Sequence, residues 1–265
     1  MKPVQTQAMP AAWPGGERSH LLMSGVQAVI FDMDGLLLNT EILARRALQL
    51  AGADLGLDLT DEFFALLIGV PADGNRRLLF EHYGPAAPAD ALFAAAARHQ
   101  RTLIDSGEMQ LKPGVLELLD LLDKTGMPHG VATSSGRDKA LHHLQHAGIA
   151  ERFQAIVTRD EVARGKPHPD LFLRAAQALG MAPGSCIALE DSYNGVHAAH
   201  AAGMPVIMVP DLLPPTDEMA RKCVAIVPDL QAVSTMLAAS SGAADFSADT
   251  SPHGKSAASY IAAPS

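Results

Sequence analysis

Val29-Ile30-Phe31-Asp32-Met33-Asp34-Gly35-Leu36-Leu37-Leu38-Asn39-Thr40-Glu41 (VIFDMDGLLLNTE) is the stretch on which the reading turns. The mostly apolar run Val26–Phe31 predicts a buried strand that ends at Asp32. Two acids two residues apart follow it, then a glycine that permits a tight turn, then a second apolar run. Carboxylates at the mouth of a buried strand are costly unless something offsets them. The rest of the sequence must supply the offset.

Working outward, short apolar runs alternate with helical segments. His129–Thr133, Ala155–Thr158, Cys186–Leu189 and Val206–Val209 predict four more strands, and Val224–Val227 a short edge strand. Helices are expected at about 115–125, 137–147, 169–179, 193–202 and 230–238. Unbroken apolar strands alternating with helices imply an α/β protein with a Rossmann-like parallel sheet covered on both faces. Residues 40–110 break the pattern with about four helices and no convincing strand, an all-helical cap inserted after the first strand. The expected organisation is a core of 25–39 and 111–238, a cap of 40–110, and disordered tails at 1–24 and 239–265, both poor in apolar periodicity. The segments entering and leaving the cap, Leu37–Thr40 and Leu111–Gly114, are the expected hinge.

Composition narrows the function. The 265 residues are 48% hydrophobic, enough for a substantial core, and the net charge is −9. That balance argues against a nucleic-acid surface, which needs clustered Lys and Arg. No apolar stretch is long enough to span a bilayer, because Asp32 and Asp34 interrupt the best candidate, and no secretory signal stands at the N-terminus. Cys186 and Cys223 lie in apolar runs without metal-ligand spacing, and read as reduced core thiols. The expectation is a cytoplasmic protein, monomeric by default, that binds neither nucleic acid nor membrane.

Ligands of parallel sheets bind beyond the C-terminal strand ends. Each main strand here ends on, or is followed by, a chemically useful residue: Asp32 and Asp34, then Thr133-Ser134-Ser135-Gly136, then Lys166 in GKPHPD, then Glu190-Asp191-Ser192. A carboxylate can attack phosphorus and divide one hard step into two. It repels the phosphate it attacks, and Mg²⁺, which takes hard oxygen ligands, relieves that repulsion. Asp32 is the candidate nucleophile and Asp34 the acid and base for the leaving group and water. Asp32, Asp34, Glu190 and Asp191 are the candidate magnesium ligands. Thr133, Ser134 and Lys166 are the candidate phosphate ligands. Taken singly, a DxDG is often a polar turn, TSSG a helix cap, and GKPHPD a loop. All four in this order, each at a strand end, are not explained that way.

Those four motifs make the sequence resemble the haloacid dehalogenase superfamily of phosphohydrolases over about residues 26–238. FDMDGLLLNTE, VATSSG, GKPHPD and LEDSYNGVHAAHAAGM correspond to its four motifs. The helical cap is similar to that of β-phosphoglucomutase-like enzymes, and the motif details also resemble pseudouridine-5′-phosphatase-like and sugar-phosphate phosphatase members. The resemblance implies a Mg²⁺-dependent phosphatase of a small phosphomonoester, a sugar phosphate or a nucleotide-like one, working through an aspartyl-phosphate. A phosphomutase and a non-enzymatic phosphate-binding scaffold are the alternatives. Two departures stand out: Asn39 occupies a position where the family often carries Asp, and the cap arginine expected of mutases falls at Ala72. Arg76 and Arg77, a turn later, read as a solvated face. His142, His143 and His146 share one predicted helix, where His142 and His146 are four apart and could bind a metal, and read as its polar outer face.

Overall fold

The computed structural model describes residues 25–244 apart from 69 and 71. Its strands are β1 (Ala28–Phe31), β2 (His129–Ala132), β3 (Ala155–Val157), β4 (Cys186–Glu190), β5 (Val206–Met208) and β6 (Ala225–Ile226). They form one six-stranded sheet in the order β3-β2-β1-β4-β5-β6, parallel at every pair. The core helices are α5 (Val115–Thr125), α6 (Arg137–His146), α7 (Asp170–Ala178), α8 (Tyr193–Ala201), α9 (Asp217–Lys222) and α10 (Leu230–Ala244); the four helices that precede them form the cap.

Alternation along each strand divides the core between two faces. Val29 and Phe31 join Val131, Ile187 and Leu189 against Leu118 and Leu122 of α5, Leu144 of α6 and Val233 of α10. Ala28 and Ile30 face the other way, toward Leu171 and Phe172 of α7 and Val196 and Ala199 of α8. Both faces are covered, so the strands need no polar positions until they end. The chain winds outward from β1 to β2 on one side and to β4 on the other. The strand order therefore reverses at β1, and the crevice that opens there is where such sheets bind ligands.

The cap comprises α1 (Thr40–Asp54), α2 (Asp61–Leu67), α3 (Ala72–Tyr83) and α4 (Ala89–Asp105). Its own apolar centre holds Leu48, Ala51, Phe63, Leu79 and Leu92, all buried. A ribbon joins it to the core. Leu38 bridges Leu111, the Lys112 amide donates to the Leu37 carbonyl (2.9 Å), and the Asn39 amide to the Gln110 carbonyl (3.1 Å). Asn39 adds its side chain, whose Oδ1 accepts from the Gln110 amide (2.8 Å). An aspartate there could accept the same bond, so the departure leaves local geometry intact.

Two differences from the sequence reading concern element limits. Helix α10 runs to Ala244, into the segment expected as a tail from 239; alanines at 238, 239, 243 and 244 favour its continuation. The rest of both expected tails lies outside the described residues. Helix α9 was not expected. It is short, capped by the Thr216 hydroxyl on the Met219 amide, and has acids in its first turn and cations in its last. Among the described residues no helix is long and apolar enough to cross a membrane. Cys186 and Cys223 are free thiols, the first buried.

Candidate active site

The end of β1 places Asp32 on the floor of the crevice, buried. Lys166 arrives from the loop after β3 and is itself buried above the Phe172 ring, its Nζ 5.1 Å from the ring centre. That ammonium donates to Asp32 Oδ1 and to Glu190 Oε1, the latter at 2.5 Å. Burial alone would lower the lysine's pKa; the two carboxylates outweigh it and hold the ammonium charged. Glu190 is spoken for at its other oxygen too. Its Oε2 accepts from the Asp191 and Ser192 amides and the Ser192 hydroxyl, at 3.0–3.1 Å. Gly195, in the first turn of α8, makes room for it: a Cβ there would lie 1.8 Å from the carboxyl.

Gly35 is needed for two reasons. Its φ of +86° is left-handed, and a Cβ would lie 2.3 Å from Asp191 Oδ2. The turn after Asp34 thus lets Asp191 pack against the backbone of the first motif. Burial, with Glu190 and Asp32 nearby, raises the pKa of Asp191 well above the usual carboxylate range. Burial likewise raises Asp32, to about 8; Lys166 opposes the shift and Glu190 adds to it.

Asp34 is held in the opposite way. Thr40 Oγ1 donates to its Oδ1 (2.8 Å) and Ser135 Oγ to its Oδ2 (2.7 Å). Lys139 Nζ and His143 Nδ1 each lie 3.8 Å from Oδ1. Burial opposes ionisation, but Lys139, His143 and the two hydroxyls prevail and lower its pKa. Two residues apart in sequence, Asp32 and Asp34 occupy different electrostatic settings.

Several site residues escaped the sequence reading. His143 is buried and faces Asp34, so α6 does not turn all three histidines outward; burial lowers the His143 pKa to about 4. Ser135, the neighbour of the expected Ser134, supplies the hydroxyl on Asp34, while Ser134 lines the cavity wall. Thr133 is buried, and its Oγ1 accepts from the Ser135 amide (3.0 Å), which shapes that turn. Glu41, in the first turn of α1, also lines the cavity. Burial, with Asp34 and Asp211 adding, raises its pKa to about 7. Asp211 lies beyond β5, paired at 2.5 Å with Lys112 of the ribbon between cap and core, and its Oδ2 is buried without a partner. A polar residue past a strand end was the available signal for Asp211; His143 gave none.

The crevice opens into a cavity of about 650 Å³. Asp32, Asp34, Asp191, Lys139, Arg159 and Lys166 line its core side; Ala44, Leu48, Phe64, Leu67, Ile68 and Phe93 line its cap side. Carboxylate oxygens of Asp32, Glu190 and Asp191 come within 4.8 Å of one another. These three acids are met by the buried cation Lys166, so an oxygen-seeking divalent ion suits both the donors and the charge. Glu190, whose oxygens are engaged, is absent from the cavity lining; Asp32 and Asp191 are the two of this trio that line it. The carboxylate of Asp34, turned toward Thr40 and Ser135, lies outside this trio.

Known proteins resemble this chain in sequence and in fold. The profile of haloacid dehalogenase-like hydrolases matches residues 29–209. The CbbY protein of Rhodobacter capsulatus is 35% identical over 219 residues, covering 79% of this chain and 96% of its own. A Drosophila melanogaster protein named "Probable pseudouridine-5'-phosphatase" is 39% identical over 201 residues, 73% of this chain and 85% of its own. Among solved structures, CbbY from Rhodobacter sphaeroides in complex with phosphate superposes with a TM-score of 0.68 at 28% identity, covering 78% of this chain and 95% of that one. The profile spans the strand-end acids, the lysine and the sheet that gathers them, and on that extent of match this chain belongs to the haloacid dehalogenase-like hydrolase family.

Proposed function

We propose that the protein is a Mg²⁺-dependent phosphatase of small phosphomonoesters that works through a phosphorylated Asp32. The observation that carries this reading is the buried Asp32 carboxylate, held by Lys166 on the floor of a cap-covered cavity. Asp32 and Asp191 would hold the ion. When bound, Mg²⁺ supplies positive charge that offsets the repulsion between carboxylate and phosphate.

Asp32 attacks phosphorus, forming an acyl-phosphate bond as the ester P–O bond breaks. Lys166 accompanies the charge on the transferring group. Asp34 gives a proton to the leaving oxygen, releasing an alcohol. It then takes a proton from the water that attacks phosphorus, and the Asp32–phosphorus bond breaks to free inorganic phosphate. Its lowered pKa suits the second role. A bound phosphate dianion competes for the field of Lys139 and moves Asp34 toward protonation for the first. The cap limits bulk water during the first transfer.

The cavity lining supports one phosphate and a compact, partly apolar leaving group. Its cations Lys139, Arg159 and Lys166 all come from the core, whereas the described cap residues that line it include no Lys or Arg. Arg76 instead pairs with Asp90 at the surface. A phosphomutase needs a second phosphate site facing the first, so the phosphatase reading is preferred. On the cap side Asn75 and Gln100 offer polar contacts, and Asn75 Oδ1 is buried without a partner. A sugar or nucleoside monophosphate meets those features, in keeping with the name of the Drosophila relative. The test is phosphate release from hexose, pentose, polyol and nucleoside monophosphates, including pseudouridine 5′-phosphate, with and without Mg²⁺. Release that requires Mg²⁺ and is lost in Asp32→Asn is expected. Conversion of β-glucose 1-phosphate to the 6-phosphate without release would favour the mutase, and silence in both assays the scaffold.

A further inference from the structure

Outside the active site, a second group of ligand-type side chains meets where the cap touches the core. Asp105 is the last residue of α4, on the cap; His142 and His146 stand one turn apart on α6, on the core. His142 Nε2 is 2.9 Å and His146 Nε2 3.3 Å from the same oxygen, Asp105 Oδ1. One donor atom from each residue lies within 4.8 Å of the other two, and the imidazole rings are 4.5 Å apart. Arg101, a turn earlier on α4, sits 3.9 Å from the other carboxylate oxygen.

We propose that Asp105, His142 and His146 form a binding site for a borderline divalent metal of the zinc class, which ties the cap to the core. Two imidazole nitrogens and one carboxylate oxygen suit Zn²⁺ or Co²⁺, whereas Mg²⁺ prefers oxygen alone. Three protein ligands leave a fourth position for water. The site is partly exposed, with side-chain accessibilities of 20% for His142 and 41% for His146, so an ion can reach it from solvent. Its ligands come from both sides of the joint. An ion bound there favours the cap position in which they meet over any position that separates them. The inference does not depend on the phosphatase reading, because its readout is metal binding.

The test uses the full, tag-free, metal-stripped chain carrying Asp191→Asn, which weakens the oxygen-rich active-site trio. Co²⁺ is titrated at about pH 7, its visible absorption recorded, and Zn²⁺ added in competition. One equivalent of Co²⁺ with a nitrogen-containing coordination spectrum, displaced by Zn²⁺, is expected. His142→Gln with His146→Gln should abolish that signal, and Asp105→Asn should weaken binding by about tenfold or more. All three positions are partly exposed, so these variants retain the fold. Absence of a spectrum, or one unchanged in the double histidine variant, would overturn the site. Full affinity in Asp105→Asn would confine binding to α6 and overturn the link between cap and core.

Discussion

The floor of the cavity and its cap-side wall are built from opposite materials. The floor carries Asp32, Asp34, Asp191 and Lys166 from strand ends and the loops beyond them, and Lys139 from the first turn of α6. The wall is mainly alanine, leucine and phenylalanine on helix faces, including Ala44, Leu48, Phe64 and Phe93. Charge on the floor is positioned by a rigid sheet and fixes the chemistry. The wall offers shape and area, and contributes little directional bonding. In such a division, a change on the floor removes turnover, while a change on the wall alters which molecule is held and how tightly.

The largest effect should come from Asp32→Asn. The variant keeps shape and loses the carboxylate proposed to attack, and kcat should fall by about 10⁴-fold or more. Steady-state phosphate release measures it. Asp34→Asn comes next, with a fall of about 10²–10⁴-fold, the range of a general acid and base. The loss should shrink for esters with good leaving groups, such as an aryl phosphate, which need less protonation. A loss independent of the leaving group would assign Asp34 to positioning alone. On the wall, Phe93→Ala should raise KM about tenfold and leave kcat nearly unchanged, since uniform binding is lost. A fall in kcat there would break the division between floor and wall.

Legibility in the sequence follows the same divide. The strands could be read because each is a short, unbroken apolar run, and the floor acids because they end those runs. Asp32, Lys166, Glu190 and Asp191 come together for that reason. What escaped depends on rotation and on distant packing. Whether Ser134 or Ser135 reaches Asp34 is decided by the twist of one turn. His143 looks like its neighbours in a polar helix, yet α6 lies over Asp34 and buries that position alone among the three. Asp105 approaches His142 only because the cap returns to the core, an adjacency with no local signature.

The smallest effect separates the raised acids of the cavity from Asp34 by pH. Burial raises the pKa of Asp32 to about 8, and raises Asp191 and Glu41, the last to about 7. For such groups the folded protein holds protons that the unfolded chain has released. Their contribution to stability is present at low pH and is lost as pH rises through the folded values. His143, lowered to about 4, acts in the other sense, but its effect is complete once pH exceeds the ordinary histidine value of about 6.5. Asp34, with its lowered pKa, matters only in more acidic solution. Between about pH 6.5 and 8 the raised carboxylates therefore govern the slope. The metal-free protein should have a lower Tm at pH 8 than at pH 6.5. On the proposed reading, saturating Mg²⁺ should bind the ionised acids and reduce or reverse that difference, with protons released on binding. Asp191→Asn should flatten the pH dependence and blunt the response to Mg²⁺ together. Flattening without loss of the Mg²⁺ response would place the ion away from Asp191, and leave burial alone to explain why that carboxylate holds its proton.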